Sequence, residues 1–376
     1  MFRWLAAALI AASTWSATAS PPGGRPPLVV PRDASTVIER LPDGYSALTG
    51  PAAAQGNLDR IRQLLATAAR TGDARLVTRA DQLMAATPTE QAAQAEVLKA
   101  RAYIAQYQHD FSVAMRALDS VVEADPRDSG ARLARSQLHL VMGRLDLARG
   151  DCAALVLGID SGRGQVCLAA LALRRGDLDA AIGLSDRWLS QAAADDALRF
   201  HVLLIRAESG ARAGEADADR FYRQALQLAP SDVRALVPYA RYLRAKGRHA
   251  ESIAIARQAP ANDSLQLQAT LAAWQGRLPQ ASAMADATLR RYRRAHSLGA
   301  EPELREEAEF LLLVRRDAER ALALAGRNFQ TQRDHEDVQI LVDAAIAAGR
   351  PDALAPLRRW AKDQDVRVPG LPGPTP

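Results

Sequence analysis

Six histidines and two cysteines are the residues in this 376-residue chain best suited to hold a metal ion or supply a nucleophile and its base. The histidines are His109, His139, His201, His249, His296 and His335. None of them belongs to a His-Glu-x-x-His pattern, and the sequence contains no Cys-x-x-Cys pair of the kind that zinc sites use. A catalytic site also needs a nucleophile, a base and a group that orients the base, and no such arrangement is present. We therefore predict a protein that is not an enzyme and uses no cofactor or metal.

His335, Glu336 and Asp337 form the most suggestive local cluster of polar residues. Acidic residues are favoured in the first turn of a helix, where the backbone N–H groups have no intrahelical partners. We interpret this cluster as the start of a helix rather than as a metal site.

A glycine followed by a charged residue recurs along the chain at nearly constant spacing. The pairs are Gly72-Asp73, Gly143-Arg144, Gly176-Asp177, Gly214-Glu215, Gly247-Arg248, Gly276-Arg277 and Gly349-Arg350. The two longest gaps are about twice the usual one, which predicts a degenerate turn within each, at His109-Asp110 and at Arg316-Asp317. A period of about 34 residues indicates stacked helix-turn-helix units. We predict an all-α solenoid of about eight to nine units over residues 57–364, with no β-sheet.

Small residues recur where the two helices of each unit would cross. In the first helices they are Ala102, Ser136, Ala169, Ala207, Ala240 and Ala269, and in the second helices Ala114, Ala148, Ala181, Ser252 and Ala281. Only a small side chain lets two helix backbones approach closely enough for ridges to pack into grooves. Pro126 and Pro230 are placed to end second helices, because proline cannot continue the helical hydrogen bonding.

This combination of small residues, turn glycines and closing prolines resembles the tetratricopeptide-repeat (TPR) family, over most of the chain after its first 56 residues. The resemblance implies a right-handed superhelix whose first helices line a concave groove. Such grooves bind peptides or helices of partner proteins. We therefore expect a scaffold or adaptor with protein partners.

Five large side chains fall at first-helix positions that the family register directs into the groove: Tyr103, Tyr107, Arg241, Arg244 and Trp274. Tyrosine, tryptophan and arginine dominate binding energies at interfaces, so these are candidate partner-binding residues. Each aromatic residue has the alternative of packing against a neighbouring unit.

An alternative function is an accessory to polysaccharide or peptidoglycan machinery that binds a glycan. A glycan site needs exposed aromatic rings near carboxylates or amides, and only Tyr103, Tyr107 and Trp274 are candidates for such rings. The sequence therefore favours the protein-binding scaffold.

The first 19 residues have the features of an export signal. Arg3 precedes an apolar stretch at residues 5–12 that is too short to span a bilayer, and Ala17-Thr18-Ala19 matches a cleavage site. We expect cleavage after Ala19 and a periplasmic or secreted protein without a transmembrane segment. Residues 20–56 are predicted to be a proline-rich linker with a possible short capping helix, and residues 365–376 a disordered proline-rich tail.

The two cysteines fall on neighbouring antiparallel helices. Cys152 lies on the second helix of one unit and Cys167 on the first helix of the next, about equally far from the loop between them. The thiols are then level with each other, and an oxidising compartment would keep a bridge between them. The alternative is a pair of buried free thiols. We predict the disulfide.

The charges are nearly balanced. A net charge of +5 against 43 acidic residues gives no basic footprint for nucleic acid. The densest basic run, at residues 290–294, is predicted to pair with the acidic run of the next helix, at Glu301, Glu303, Glu306, Glu307 and Glu309. An anionic partner is the alternative for this run.

Overall fold

A computed structural model describes residues 57–85, 94–191, 195–299 and 302–373. Within these ranges the chain is helical and contains no β-strand, which confirms the predicted all-α class. None of the described helices is both long and apolar enough to cross a membrane. The predicted export signal and the linker with its capping helix lie outside the described residues.

The helices follow one another as nine helix-turn-helix pairs in the described residues. The first helices of the pairs are α1 (Asn57–Thr71), α3 (Ala95–Tyr107), α5 (Ser129–Val141), α7 (Ser161–Arg175), α9 (Asp196–Ala213), α11 (Val233–Ala245), α13 (Asp263–Gln275), α15 (Leu304–Phe310) and α17 (His335–Ala347). The second helices are α2 (Ala74–Ala85), α4 (Phe111–Ala124), α6 (Leu145–Ala154), α8 (Leu178–Ser190), α10 (Ala218–Leu228), α12 (His249–Ala256), α14 (Ala281–Ser297), α16 (Ala318–Thr331) and α18 (Ala355–Asp363). Short π-helical turns extend α6 and α15, at Leu155–Ile159 and Leu311–Arg315.

Each pair is joined by a turn that contains one residue in the left-handed backbone conformation. These residues are Gly72, His109, Gly143, Gly176, Gly214, Gly247, Arg277, Arg316 and Gly349. The two degenerate turns predicted from the spacing are therefore real, with φ of 59° at His109 and 55° at Arg316. In one turn the left-handed residue is Arg277, and Gly276 serves a different purpose: an added Cβ would lie 2.9 Å from the ring of His249.

The predicted small residues lie in the buried interior of the solenoid. All eleven of them are at most 9% exposed, as the close-crossing argument requires. Apolar residues around them form a chain of local clusters, each built from two or three neighbouring pairs. The core is therefore distributed along the solenoid, as expected when each unit contacts mainly its neighbours.

Enlarging one of these small residues is expected to destabilise the fold. Ala169→Leu on α7 places three extra heavy atoms where the side chain is only 1% exposed, so we expect a loss of about 1 to 3 kcal/mol by overpacking. Ala287→Leu, at an exposed position of α14, is the matched control. Thermal melting followed by circular dichroism measures both, and equal melting temperatures would show that the crossing points are assigned to the wrong residues.

The predicted disulfide is present. Cys152 on α6 and Cys167 on α7 are bonded, with an S–S distance of 2.01 Å and a Cα–Cα distance of 5.3 Å. Both cysteines are buried with Leu133 and Leu155. The bridge ties the third pair to the fourth.

The segment after α18 packs on the solenoid, which differs from the predicted disordered tail. Val366, Val368 and Leu371 are half-buried against the core of the last two pairs. The backbone N–H of Arg367 donates to the carbonyl of Arg175 at 2.8 Å. The apolar residues before and between the prolines bury surface against the solenoid, and the prediction from proline content did not take them into account. Residues 374–376 lie outside the described part.

Candidate functional site

The last two pairs turn back onto the inner side of the superhelix. We call residues 302–373 the C-terminal unit; it comprises α15 to α18 and the segment that follows. Its contacts reach first helices and turns of pairs two to six, which lie far away in sequence. α11 also contacts α1, five pairs earlier. The hollow expected of an open TPR groove is therefore largely filled by the chain itself.

One edge of the C-terminal unit is bonded to the turns of pairs two, three and four, which we call the turn seam. The Trp360 indole N–H donates to the carbonyl of Gly143 at 2.8 Å, and the backbone N–H of Leu145 donates to Oε1 of Gln364 at 2.7 Å. Further along the seam, His109 Nε2 lies 3.0 Å from Glu303 Oε1. Burial alone would lower the pKa of His109, but Glu303 holds it above its usual value.

Glycine is required in the turn seam for a second reason besides its left-handed φ. At Gly143 an added Cβ would lie 2.8 Å from Nε1 of Trp360 and 2.7 Å from Cδ of Arg333. At Gly176 it would lie 2.8 Å from the carbonyl oxygen of Arg367. The missing side chains allow the C-terminal unit to approach the turns closely.

Beyond the seam, four arginines of the first helices face the C-terminal unit. We call Arg174, Arg212, Arg241 and Arg244 the arginine face; they belong to α7, α9 and α11. The opposing carboxylates, which we call the acidic edge, are Glu309, Asp334, Glu336 and Asp337.

Three ion pairs join the arginine face to the acidic edge. Arg241 NH1 lies 2.5 Å from Glu336 Oε1, and Arg244 NH2 lies 2.6 Å from Glu309 Oε1. Arg174 NH2 lies 3.3 Å from Asp334 Oδ1. Basic side chains on the inner helices thus meet acidic side chains on the C-terminal unit.

The helix start predicted at residues 335–337 is correct, and it supplies most of the acidic edge. Asp334 and Asp337 form a capping box that begins α17. Burial would raise the pKa of Glu336, but the nearby guanidinium of Arg241 holds it well below its usual value. Burial, with the nearby Arg212, lowers the pKa of His335 to about 4, so this histidine is neutral at pH 7. Burial raises the pKa of Asp334 to about 6, so Glu336 is the most strongly anionic group that the first turn of α17 places among the arginines.

A cavity of about 520 Å³ remains beside this turn. It lies between α9, α11, α15 and α17 and is lined by charged and tyrosine side chains, among them Glu208, Arg212, Tyr222, Arg241, Tyr242, Arg244, Lys246, Glu309 and Glu336. Tyr222 and Tyr242 pack with their ring centroids 5.5 Å apart on one wall. This is enough volume for a few side chains of a bound segment. In the described ranges no group of three or more His, Cys, Asp or Glu side chains is arranged to hold a metal ion.

The structure distributes the five predicted groove residues over three places. Arg241 and Arg244 line the cavity and are paired within the chain. Tyr103 and Tyr107 are half-buried against the core of the first pairs. Burial raises the pKa of Tyr103 to about 12, with Arg234 of α11 and the helix-capping Asp232 nearby. Trp274 is 37% exposed near the end of α13 and does not line the cavity, although the adjacent Gln275 does.

Sequence reasoning did not find Tyr222, Tyr242, Arg212 or Glu336 as members of one site. Tyr222 lies on a second helix, whereas the predicted groove positions were taken from first helices only. The acidic start of α17 carried a signal, but only for a helix terminus. In the described part of the acidic run, Glu303 pairs with His109, Glu307 with His296 and Glu309 with Arg244, while the arginines at 290, 293 and 294 are exposed; Glu301 lies outside the described residues.

Glu306 on α15 is buried, and burial raises its pKa to about 7 against the opposing charge of Arg305. The folded state thus binds this proton more tightly than the unfolded chain does, and the free energy of unfolding falls as pH rises from about 4.5 to 7. Glu306→Gln removes this penalty, so we expect a gain of about 3 kcal/mol at pH 8 and little change at pH 4. Melting temperatures at both pH values test this, with the exposed Glu319→Gln as control. A variant less stable than the parent chain at pH 8 would contradict the expected sign.

No protein-family profile matches the sequence, and no curated protein resembles it closely enough to be matched. Solved structures do match. A chain of the APC/C Cut9–Hcn1 hetero-tetramer has a TM-score of 0.51 at 12% identity, covering 82% of this chain and 62% of that one. Human IFIT1, in a dimer with PPP-AAAA, has the same score and identity, with coverage of 82% and 71%. A tetratricopeptide repeat protein from Parabacteroides merdae has a TM-score of 0.38 at 12% identity, with coverage of 77% and 98%.

The chain thus spans less than two thirds of the length of the Cut9–Hcn1 chain that it matches. At 12% identity the likeness establishes the architecture, because one fold serves many functions. Together with nine helix-turn-helix pairs in the described ranges, it shows that this chain has the all-α superhelical fold of tetratricopeptide-repeat proteins.

Proposed function

We propose that this protein is an exported, non-catalytic scaffold that binds a segment of a partner protein at the cavity between α9, α11, α15 and α17. The observation that carries the proposal is the cavity itself. It combines a volume of about 520 Å³ with arginine, carboxylate and tyrosine side chains on the inner face of a TPR-type superhelix. Inner faces of such solenoids are suited to extended partner segments.

The chemistry of the lining supports recognition rather than catalysis. Its strongest ionic groups are held in pairs, Arg241 with Glu336 and Arg244 with Glu309. Paired arginines and carboxylates provide directional contacts to a ligand, whereas a hydrolytic site would need a nucleophile beside a base. Arg241 and Arg244 are the two predicted groove residues that we place in the binding site.

A periplasmic location is part of the proposal. It rests on the export signal in the first 19 residues and is supported by the buried disulfide, which is typical of oxidising compartments. Glycan binding has less support. Tyr222 and Tyr242 are buried, each stacks on Tyr239 and the two are tilted against each other, so their faces are not free platforms for a sugar ring.

Filling the cavity is expected to abolish capture of the partner. Ala245 lines the cavity at the exposed end of α11, so Ala245→Trp should occupy it without disturbing the core. The purified mature protein is used as bait in a periplasmic extract, and captured proteins are identified by mass spectrometry. We expect the parent chain and Ala287→Trp to capture the same partner and Ala245→Trp to lose it. Undiminished capture by a folded Ala245→Trp chain would move the site elsewhere, with exposed Trp274 as the next candidate.

A further inference from the structure

The C-terminal unit carries negative charge onto a positively charged surface of the same chain. On the inner helices, three guanidinium groups of the arginine face pair with the acidic edge of α15 and α17, and the fourth, Arg212, lies between Glu208 of its own helix and Glu336. We propose that the arginine face is the docking surface for an acidic segment of the partner protein, and that the acidic edge occupies this surface until the partner displaces it. The inference rests on the proposed scaffold function and specifies the chemistry of its partner.

Charge complementarity supports an acidic occupant. Each of Arg174, Arg241 and Arg244 is within 3.3 Å of a carboxylate oxygen of the acidic edge. The planar guanidinium group of arginine matches the geometry of a carboxylate, and such pairs are selective against neutral or basic segments. The surface therefore already binds, within one chain, the type of group that we assign to the partner.

The docking of the C-terminal unit is suited to reversal because it is mainly polar. The largest apolar cluster of the unit takes all its buried members from residues 308–361, and half-buried Val366 links it to the core of the third to fifth pairs. Its contacts to the turn seam are hydrogen bonds, including Trp360 to Gly143 and Arg367 to Arg175. Interfaces of this kind separate at a lower cost than a continuous apolar core.

The unit stays attached to the solenoid when this docking is released. Phe310 and Val314 share a core with Leu267, Leu271 and Tyr292 of the seventh pair. When the unit opens, the superhelix widens while these shared core contacts with the seventh pair are kept. The cavity already adjoins the arginine face, since Arg212, Arg241 and Arg244 line it, and so gives an incoming segment a place to begin.

Two pairs of turn glycines provide a matched test. Gly143→Ala with Gly176→Ala puts methyl groups against Trp360 and against the Arg367 carbonyl, which forces the unit off the seam. Gly214→Ala with Gly247→Ala imposes the same left-handed strain, at φ of 82° and 73°, where nothing lies within 4 Å of an added Cβ. The first chain is the opened variant and the second its control. Glu336→Lys, which reverses one charge of the acidic edge, is an independent second way to open the unit.

The probe is a fluorescently labelled peptide with the sequence of residues 332–348, and binding to the mature full chain is measured by anisotropy at low ionic strength. The competing acidic edge reduces the apparent affinity by the fraction of chains whose face is free. We expect the opened variant and Glu336→Lys to bind about tenfold more tightly than the parent chain. The glycine control should bind like the parent chain. Arg241→Gln in the opened variant, or a probe with Asp334→Asn, Glu336→Gln and Asp337→Asn, should lose about tenfold.

Small-angle scattering of the same chains completes the test. A larger radius of gyration is expected for the opened variant than for its control. Equal radii, equal affinities of these two chains, or equal binding of the neutralised probe would each overturn the inference. The proposed scaffold function fails separately, when the parent chain captures no protein from the extract although the acidic probe binds.

Discussion

Truncating Trp360 to alanine is expected to lower the free energy of unfolding by about 3 to 5 kcal/mol. The ring is only 8% exposed and packs edge-on against Phe329, with centroids 5.7 Å apart. Its N–H donates to the Gly143 carbonyl, so the same residue serves the core of the C-terminal unit and its attachment to the turn seam. Truncation removes both contributions at once.

Two further substitutions separate these contributions. Trp360→Phe keeps most of the ring but leaves the Gly143 carbonyl without its donor, so we expect a loss of about 1 to 3 kcal/mol. Trp274→Ala removes an equally large side chain that is 37% exposed, and should cost much less. Chemical denaturation measures all three. Equal losses for Trp360→Ala and Trp274→Ala would contradict the burial and docking of Trp360.

Breaking the disulfide is expected to be the second large effect. Cys152 and Cys167 close a loop with a sequence separation of 15 residues, for which the chain-entropy relation gives about 3 kcal/mol. We expect Cys152→Ala with Cys167→Ala to lose about this amount relative to the oxidised parent chain. Reduction of the parent chain should produce a similar loss, whereas the reductant should leave the alanine variant unchanged.

A thiol titration checks the bridge directly. The parent chain, denatured without reductant, should show no free thiol. Two free thiols per chain would mean that the bridge is absent. Reduction that lowers the melting temperature of the alanine variant as much as that of the parent chain would also exclude the disulfide as the cause.

Because the C-terminal unit docks on the inner helices, substitutions of the predicted groove residues Arg241 and Arg244 affect more than partner binding. Replacing Arg241 or Arg244 removes a partner of Glu336 or Glu309, so it loosens the C-terminal unit as well as altering the cavity. Loss of partner capture in such a variant would therefore be ambiguous by itself. The cavity-filling Ala245→Trp avoids this difficulty because its exposed side chain lies outside the ion pairs.

Short stretches of sequence were sufficient to predict the repeating architecture. The turn spacing located even the turns without glycine, at His109 and Arg316, because a helix-turn-helix unit must reverse direction at a fixed interval. Small residues such as Ala169 marked the helix crossings, and the level positions of Cys152 and Cys167 gave the disulfide. All these features depend on contacts within one unit or between neighbours, so a periodic pattern records them.

Only the tertiary structure shows that the C-terminal unit fills the hollow of the superhelix. Arg241 and Glu336 are 95 positions apart, His109 and Glu303 are 194 apart, and Trp360 and Gly143 are 217 apart. Contacts between residues so far apart do not produce a periodic pattern in the sequence. Whether the ninth pair meets the third depends on the small rotation between successive pairs, summed over the whole solenoid. The sequence therefore determined the repeating units and their bridge, whereas the accumulated twist decided which of their surfaces face each other and where a cavity remains.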